Sequence, residues 1–595
     1  MNNRKRILTL LINGVLLSSL CVASAADTTT GSGNGIAYGT GSTANNTLDV
    51  ALGNKANVEN YVGQNGSIAI GANAHVENMA GGAEAAVGMG QTSYSGNFWS
   101  SARVPADPSK VVGSVAIGNN TYARTGSTMI GSHNYRGAIG DITIDTDNNG
   151  TRGANLNVYA TTVGANSFSN GAFTTTTGTY NVISSSYTGG RFSTPTQNFG
   201  ATVNGAFNSI ESTSGGSTAG VATAITGVAN RVANSNGVLV YGAGNEITNS
   251  STSFSTPGES VTSAKDFADK LKTAVTSSNG AGATMAFGGG NKADYTLRTS
   301  MIGVNNTVTG VRGNQSKDNL AIGVGNTGTK VQHMTVIGSK NTVSDANNTL
   351  VLGDNRTVTS ANNTVILGSS DNGTTTTVND AVAVGHNTEV SVVGGTAIGS
   401  GSKATVAAGA VGYDVLTNAP STETSSTWVS TASAVSVGDV DNNVTRQITS
   451  VAAGTNDTDA VNVAQLKQLR NNIGGDITNI NGTVSRLDKR VNKAVAGSAA
   501  LAALHPLDFD PDAKWDFAAG YGHYHNGNAA ALGAFYRPNE DVQLSVGSTL
   551  GNGETVVNAG LSVKVGAHSN VSRSRVAIGK EVLELKKTVA LQNAQ

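Results

Sequence analysis

The chain has 595 residues, a formal net charge of −1, 13% charged residues, 5% aromatics, 76 glycines and one cysteine. Near-neutral charge excludes the strongly basic face that nucleic-acid binding requires, and a single cysteine excludes a disulfide framework. Gly, Ser, Thr and Asn dominate, a bias that means internal repeats or a disordered polar stalk rather than an aromatic-rich core.

At the N-terminus Arg4, Lys5 and Arg6 precede an apolar run over 7–22, and Ala23-Ser24-Ala25 is an A-x-A cleavage site. Residues 1–25 therefore read as a secretory signal peptide. Cys21 lies inside it, so the exported chain is expected to be free of cysteine, with a charge of about −4 (−1 − 3) once the three basic residues leave.

A motif of the form x-Ala-Ile-Gly then recurs at 50–53, 68–71, 115–118 and 128–131. It returns at 320–323, 335–338, 350–353 and 365–368 with glycines 15 residues apart (323, 338, 353, 368), and continues at 382–385, 396–399 and 410–412. A fixed period of short β-rich units predicts a stacked solenoid. At about 1.5–3 kcal/mol per buried Val or Ile, one coil cannot offset the roughly 15–30 kcal/mol of backbone entropy its ~15 residues lose. Coils must therefore stack. The aliphatic residue before each glycine, namely Ile70, Ile117, Ile322, Ile337, Leu352, Leu367 and Ile398, is the expected head core. Asn and Gly after each triplet, as in Gly325-Asn326 and Gly385-His386-Asn387, are the expected turns. Residues 26–140 and 283–412 thus read as two blocks of head repeats.

Between them, residues 141–282 keep the period only in fragments such as Thr162-Val163-Gly164 and Val240-Tyr241-Gly242. An irregular Gly/Ser/Thr-rich head insertion is expected. Its aromatics, Phe168, Phe173, Tyr180, Tyr187, Phe192 and Phe199, suit either a binding surface or the packing of an irregular domain. Asp145-Thr146-Asp147-Asn148-Asn149-Gly150 matches the first half of a calcium loop, but position twelve is Leu156 where a bidentate Glu is required, so turn residues are expected. Residues 263–275 hold helix formers after a capping Ser263, with Phe267, Leu271, Ala274 and Val275 on one side, which predicts a short helix.

After a neck and connector over 413–462, Val463, Leu466, Ile473, Ile477, Ile480, Val484, Leu487, Val491 and Ala494 follow alternating steps of three and four, with Arg470 at a core position. Residues 463–500 read as a coiled-coil stalk, and Ile and Val at both core positions favour trimers or tetramers over dimers. Four strand-length segments follow at 514–524, 527–537, 542–551 and 554–565, each near the ~9–11 residues of a tilted membrane strand. Apolar and polar residues alternate along them, the pattern of a transmembrane barrel; Pro538 to Asp541 and Asn552-Gly553 are expected hairpin turns. A small soluble meander has the same period. In lipid, however, an open four-stranded sheet leaves two edges of unpaired backbone groups. Three chains supplying twelve strands would close the sheet, and the trimer-forming stalk supports the same count.

These pieces together resemble a YadA-like trimeric autotransporter adhesin. The resemblance rests on Ser67 to Gly71 and Ser114 to Gly118, on the neck from Arg446 to Thr455 and Thr458 to Leu466, and on Ala499 to Leu504, Pro506 and Tyr536-Arg537-Pro538 in the anchor. It implies a mainly β homotrimer with a left-handed β-roll head, a coiled-coil stalk and a 12-stranded transmembrane β-barrel formed by three chains over 501–566. Gly520, Gly522, Gly533, Gly547 and Gly560 would then be the small lumen residues that let three chains pass. Implied partners are outer-membrane lipid, the barrel-assembly machinery, and a host receptor, extracellular matrix protein or like cells; the implied location is the cell outer membrane and cell surface. The alternative is a structural surface fibre for autoaggregation or envelope attachment.

One departure is that the family usually ends at the last barrel strand with an aromatic residue, whereas here residues 567–595 follow, with Val571, Ile578, Val582, Leu585 and Val589 at heptad spacing. A periplasmic coiled-coil extension is expected, and the usual barrel-assembly signal is in doubt. No phosphate-binding loop, cysteine nucleophile or Ser-His-Asp context is recognisable. His523 and His525 flank a turn without ligands at metal spacing. Neither an enzyme nor a cofactor is expected.

Overall fold

The computed structural model describes residues 30–60, 66–78, 113–124, 126–134, 157–185, 197–212, 218–253, 264–278, 282–551, 553–566 and 574–594. The signal peptide, the calcium-like sequence at 145–156, Tyr187, Phe192, Ser263 and Val571 lie outside them. The chain forms two compact units, Met1–Gln447 and Ile448–Gln595.

The first unit is a parallel solenoid. One strand of each coil joins a ladder of nineteen strands running from Ile36–Tyr38 to Val435–Ser436. Each end strand has a single neighbour, so the ladder is open. A second strand of each coil stacks in ladders of five and eleven. The register is strict: Leu320 sits beside Thr335, Thr335 beside Leu350, and Leu350 beside Val365.

The interior is narrow, and this decides which residue of each motif is inside. Side chains alternate along a strand, and the residue two before the glycine points inward: Ala69, Ala116, Ala321, Val336, Val351, Ile366 and Ala397 are all buried. The expected core residues are therefore not in the coil interior. Ile337, Leu352 and Ile398 are 39%, 37% and 44% exposed, while Ile70, Ile117, Ile322 and Leu367 are half-buried. With Leu320, Leu350 and Val365 they form an outward aliphatic ridge.

At the corner after each ladder strand the glycine is obligatory. A Cβ on Gly338 would run into the carbonyl of Gly353 in the next coil, and φ there is +141°. The same close approach links Gly39 through Gly53, Gly71 and Gly118 and onward to Gly399. Two residues later the backbone is left-handed, as at Asn305, Gly325, Lys340 and Asn355.

The next residue turns inward, which corrects the assignment of Asn326 as a turn residue. Asn181, Asn208, Asn230, Asn245, Asn291, Asn306, Asn326 and Asn341 are buried one above another. Each Nδ2 donates to the preceding Oδ1, at 3.0 Å for Asn306 to Asn291 and 2.9 Å for Asn341 to Asn326. Each also reaches a glycine carbonyl of the following coil, as Asn326 does to Gly338 at 2.7 Å. The file ends at Arg356, 1% exposed. Its backbone N–H donates to Asn341 Oδ1, and its guanidinium to the carbonyls of Gly368, Ser369, Gly385 and Thr388. Burial pulls the Arg356 pKa below its ordinary value.

Where described, residues 141–282 continue this solenoid, so the expected irregular insertion is corrected. Strands Thr161–Ala165, Thr175–Thr179, Thr202–Ala206, Ala224–Val228 and Leu239–Ala243 pair in register. The apolar signature fades because Thr162 and Thr176 take inward positions that Val or Ala occupies elsewhere. Helix α1, Ala264–Ser277, leans Leu271, Ala274 and Val275 on a cluster containing Phe199, Val221, Tyr159 and Phe173. Of the aromatics read as either surface or packing, Phe168 and Phe199 are buried and Phe173 packs in the same cluster as Phe199, while Tyr180 stacks at 5.2 Å on Phe207, which is exposed. Burial pushes the Tyr159 pKa up to about 12.

Arg356→Met keeps the backbone N–H that reaches Asn341 Oδ1 but should leave the carbonyls of Gly368, Ser369, Gly385 and Thr388 short of the guanidinium donors. A loss of about 3–5 kcal/mol in head stability is expected, read as a lowered unfolding midpoint by circular dichroism, whereas Lys340→Ala on the outer turn should change little.

Candidate functional site: the stalk and membrane anchor

The second unit is built on helix α2, Val463–Ala502, forty residues long. Asn462 starts it with a capping box: its Oδ1 accepts from the Gln465 N–H at 3.1 Å, and Gln465 Oε1 accepts from the Asn462 N–H at 3.1 Å. Gln465 Oε1 also accepts from the Gly454 N–H, tying the neck to the first turn. This Asn-x-x-Gln signal stands in the sequence before the heptads and could have placed the helix start to the residue.

Val463, Leu466, Ile473, Ile477, Ile480, Val484, Leu487 and Val491 lie along α2 and are all exposed, from 48% at Val491 to 66% at Val463. Among the described residues this apolar stripe has nothing to pack against until the last three turns of the helix. There Ala496, Ala500, Leu501 and Leu504 are buried against Ala529, Ala531 and Phe535.

Those residues belong to an antiparallel sheet of four strands: β1 Trp515–Tyr524, β2 Gly527–Asn539, β3 Val542–Leu550 and β4 Val557–Val563. At ~3.3 Å per residue, ten residues of β1 span about 33 Å along the strand, enough to cross a hydrocarbon core at a tilt. Two expected turns differ. β2 runs through Pro538 to Asn539 with an irregularity between Tyr536 and Asn539, because proline cannot donate to the ladder and the pairing resumes at Asn539 with Val542. β4 begins at Val557 rather than directly after a tight hairpin: Thr549 Oγ1 accepts from the Val556 N–H at 2.9 Å, and Arg490 of α2 holds Glu554 at 2.8 Å, so a longer loop is pinned.

One face of the sheet meets the helix through glycine. Cβ atoms on Gly520 and Gly522 would collide with the carbonyls of Ala500 and Ala496; one on Gly527 would lie 2.5 Å from that of Asn492. Gly533 and Gly547 sit under Leu504, with Leu501 also over Gly547. Of the five expected lumen residues only Gly560, on β4, has no helix above it; its nearest neighbour is Ser545 Oγ. The opposite face carries Phe517, Leu532, Val546 and Leu561, all exposed. Aromatics flank this band: Trp515 packs on Tyr536 at 4.8 Å beside Phe517 at one end, and Tyr521 lies toward the other, while Tyr524 falls on the helix-facing side beside Val491 and Val495. An apolar band between aromatic girdles is the surface of a membrane barrel. His523 lies at the turn, its Nδ1 2.7 Å from Asn528 Oδ1. No described helix is long and apolar enough to cross a membrane.

Residues 447–489 match the family model for the coiled stalk of trimeric autotransporter adhesin, and residues 507–564 that for the YadA-like membrane anchor domain. The stalk and anchor are those of a YadA-like trimeric autotransporter adhesin. The anchor fixes the chain in the outer membrane, at the cell surface. Autotransporter adhesin BadA of Bartonella henselae is 52% identical over 94 residues, 15% of this chain and 3% of that protein. Adhesin YadA of Yersinia pseudotuberculosis is 38% identical over 88 residues, 14% of this chain and 19% of that one. This chain thus spans only a small part of the length of the relatives it matches. The solid-state NMR structure of the membrane anchor domain of the trimeric autotransporter YadA is 33% identical, covering 15% of this chain and 86% of that one at a TM-score of 0.14.

Gly522→Val would push α2 off the sheet. Surface exposure of the head, read with a head-directed antibody on intact cells, should fall at least about tenfold, since packed interfaces do not absorb an added isopropyl group, while Gly560→Ala should be displayed nearly as wild type.

Proposed function

We propose that this chain is an outer-membrane-anchored homotrimeric adhesin that exports its own passenger and attaches the cell to a host surface, extracellular matrix or other bacteria. One observation carries the assembly. Among the described residues of a single chain, β1 and β4 each have one paired edge and one bare edge, and the α2 stripe is left uncovered. Each unpaired backbone group in hydrocarbon costs several kcal/mol. Twelve strands from three chains leave no edge, and three α2 helices packed along Val463 to Val491 bury the stripe. The small residues on the helix-facing side then line a lumen just wide enough for helices.

The head fits this scheme. Its outward ridge, Ile70, Ile117, Ile322, Ile337, Leu352, Leu367 and Ile398, becomes a core shared by three coils, as in a left-handed β-roll trimer. Insertion would draw on outer-membrane lipid and the barrel-assembly machinery. Adhesion is read from the names of the relatives, and a non-enzymatic role agrees with them. Three copies of a weak site on one fibre raise avidity by ~10²–10⁴, so a shallow polar surface is sufficient.

Display of the chain on a heterologous outer membrane tests this. Unboiled extracts should run as heat-resistant trimers, and the cells should attach to at least one immobilised matrix protein. Trimers with clumping but no attachment would favour a self-associating fibre. A monomer in detergent would sink the closed barrel.

A further inference from the structure

Neither the sheet nor the stalk uses helix α3, Arg575–Gln592. Ser574 caps it, accepting from the Ala577 N–H and donating to the carbonyl of Phe509. Ala577 is buried, and Lys580 pairs with Asp510 and, at 3.4 Å, with Asp512. These contacts hold the start of α3 at the end of the sheet where β1 begins, beside a cleft of about 330 Å³ that also includes Glu540 and Asp541 of the β2–β3 turn.

In heptad terms Arg575, Val582 and Val589 occupy one core position, and Ile578, Leu585 and Gln592 the other. Ala577 and Lys580, the residues turned toward 509–512, then fall on the side opposite this seam. The seam itself faces away from the chain: Ile578 is 39% exposed and Leu585 65%. Flanking it, Glu581 and Lys586 stand five residues apart at the two positions that meet across a parallel seam, with opposite charge. The apolar face and its charges complement a second copy of themselves.

We propose that α3 forms a second parallel coiled coil with the α3 helices of further copies of this chain, closing the assembly beneath the sheet at the end where β1 begins. The count of three rests on the trimer proposed above; the seam does not. Val582 and Val589 pack against their counterparts, Ile578 and Leu585 form the alternate layers, and Glu581 of one chain pairs with Lys586 of the next. The tether through Ser574 and Lys580 sets all copies at one height, which is the condition a parallel register needs.

Disulfide trapping in whole cells tests this on the full-length chain with Cys21→Ser. Val582→Cys lies in the seam, Leu583→Cys beside it is apolar but outside it, and Ile480→Cys reports the stalk independently. Val582→Cys should give disulfide-linked dimers as readily as Ile480→Cys, and at least about fivefold more than Leu583→Cys, because only the seam brings Cβ atoms near the ~4 Å a disulfide requires. Adding Glu581→Lys should lower the yield, and adding Lys586→Glu as well should restore it. Linkage at Ile480 with Val582 no better than Leu583 would overturn the second coil and leave the trimer standing; failure at Ile480 too would remove the trimer reading itself.

Discussion

Everything in the head depends on how closely one coil can lie on the next at its glycine corner. From Gly39 to Gly399 the carbonyl of one glycine occupies the space a Cβ on its neighbour would need. That contact fixes the stacking distance, which sets the register of the ladder strands and the depth of the interior. A shallow interior admits one small side chain per strand, so alanine and valine are buried and larger aliphatics turn outward. At the end of the file the position of a Cβ on Gly399 lies 2.9 Å from the guanidinium of Arg446, which donates to Ser402 Oγ and the Val437 carbonyl. A long side chain from the neck thus takes the place of the next coil.

A polar file inside a protein is normally a liability, because an unmade hydrogen bond costs more than a made one contributes. Here stacking removes the liability: from Asn208 to Asn341 each amide of the file donates to the asparagine of the coil before at 2.9–3.0 Å and to a glycine carbonyl of the coil after at 2.7–2.9 Å. The exposure falls on the ends, and Arg356 meets it on one side with a fork of donors no asparagine has. That residue occupies the position of Asn341 fifteen residues later; beyond it the position is exposed at Asp371 and then taken by the buried hydroxyls of Thr388 and Ser402. One substitution thus separates two interior chemistries without breaking the ladder.

The glycine period and the stalk heptads were legible in the sequence because each is a direct imprint of spacing. Which member of the x-Ala-Ile-Gly motif faces inward was not, since hydrophobicity points to Ile337 and Leu352 while the narrowness of the coil selects Val336 and Val351. The Gly-x-x-Asn pattern, present from Gly131-Ser132-His133-Asn134 to Gly338-Ser339-Lys340-Asn341 except for Ser167 after Gly164, was the missed signal: it persists from Gly178 where threonine erases the apolar alternation, and it would have carried the solenoid through residues 175–245. In the anchor, face alternation was readable along β1 and β3. The start of β4 was not: Asn552 lies outside the described residues, and beyond it Arg490 of α2 holds Glu554, so the strand begins only at Val557.

The two units complete themselves in opposite ways. A head coil finds its backbone partners in the same chain, so each coil added stabilises the one before it. Among the described residues the anchor leaves two of its eight strand edges, one on β1 and one on β4, without a partner, and the stalk stripe from Val463 to Val491 stays exposed. In the proposed trimer, oligomerisation is therefore compelled at the membrane and only favoured at the head, where the outward ridge gains from company but the ladder does not require it. In the proposed assembly the order of events follows: chains meet first where bare edges in lipid are most costly, and the head, arriving last, inherits a threefold arrangement already set beneath it.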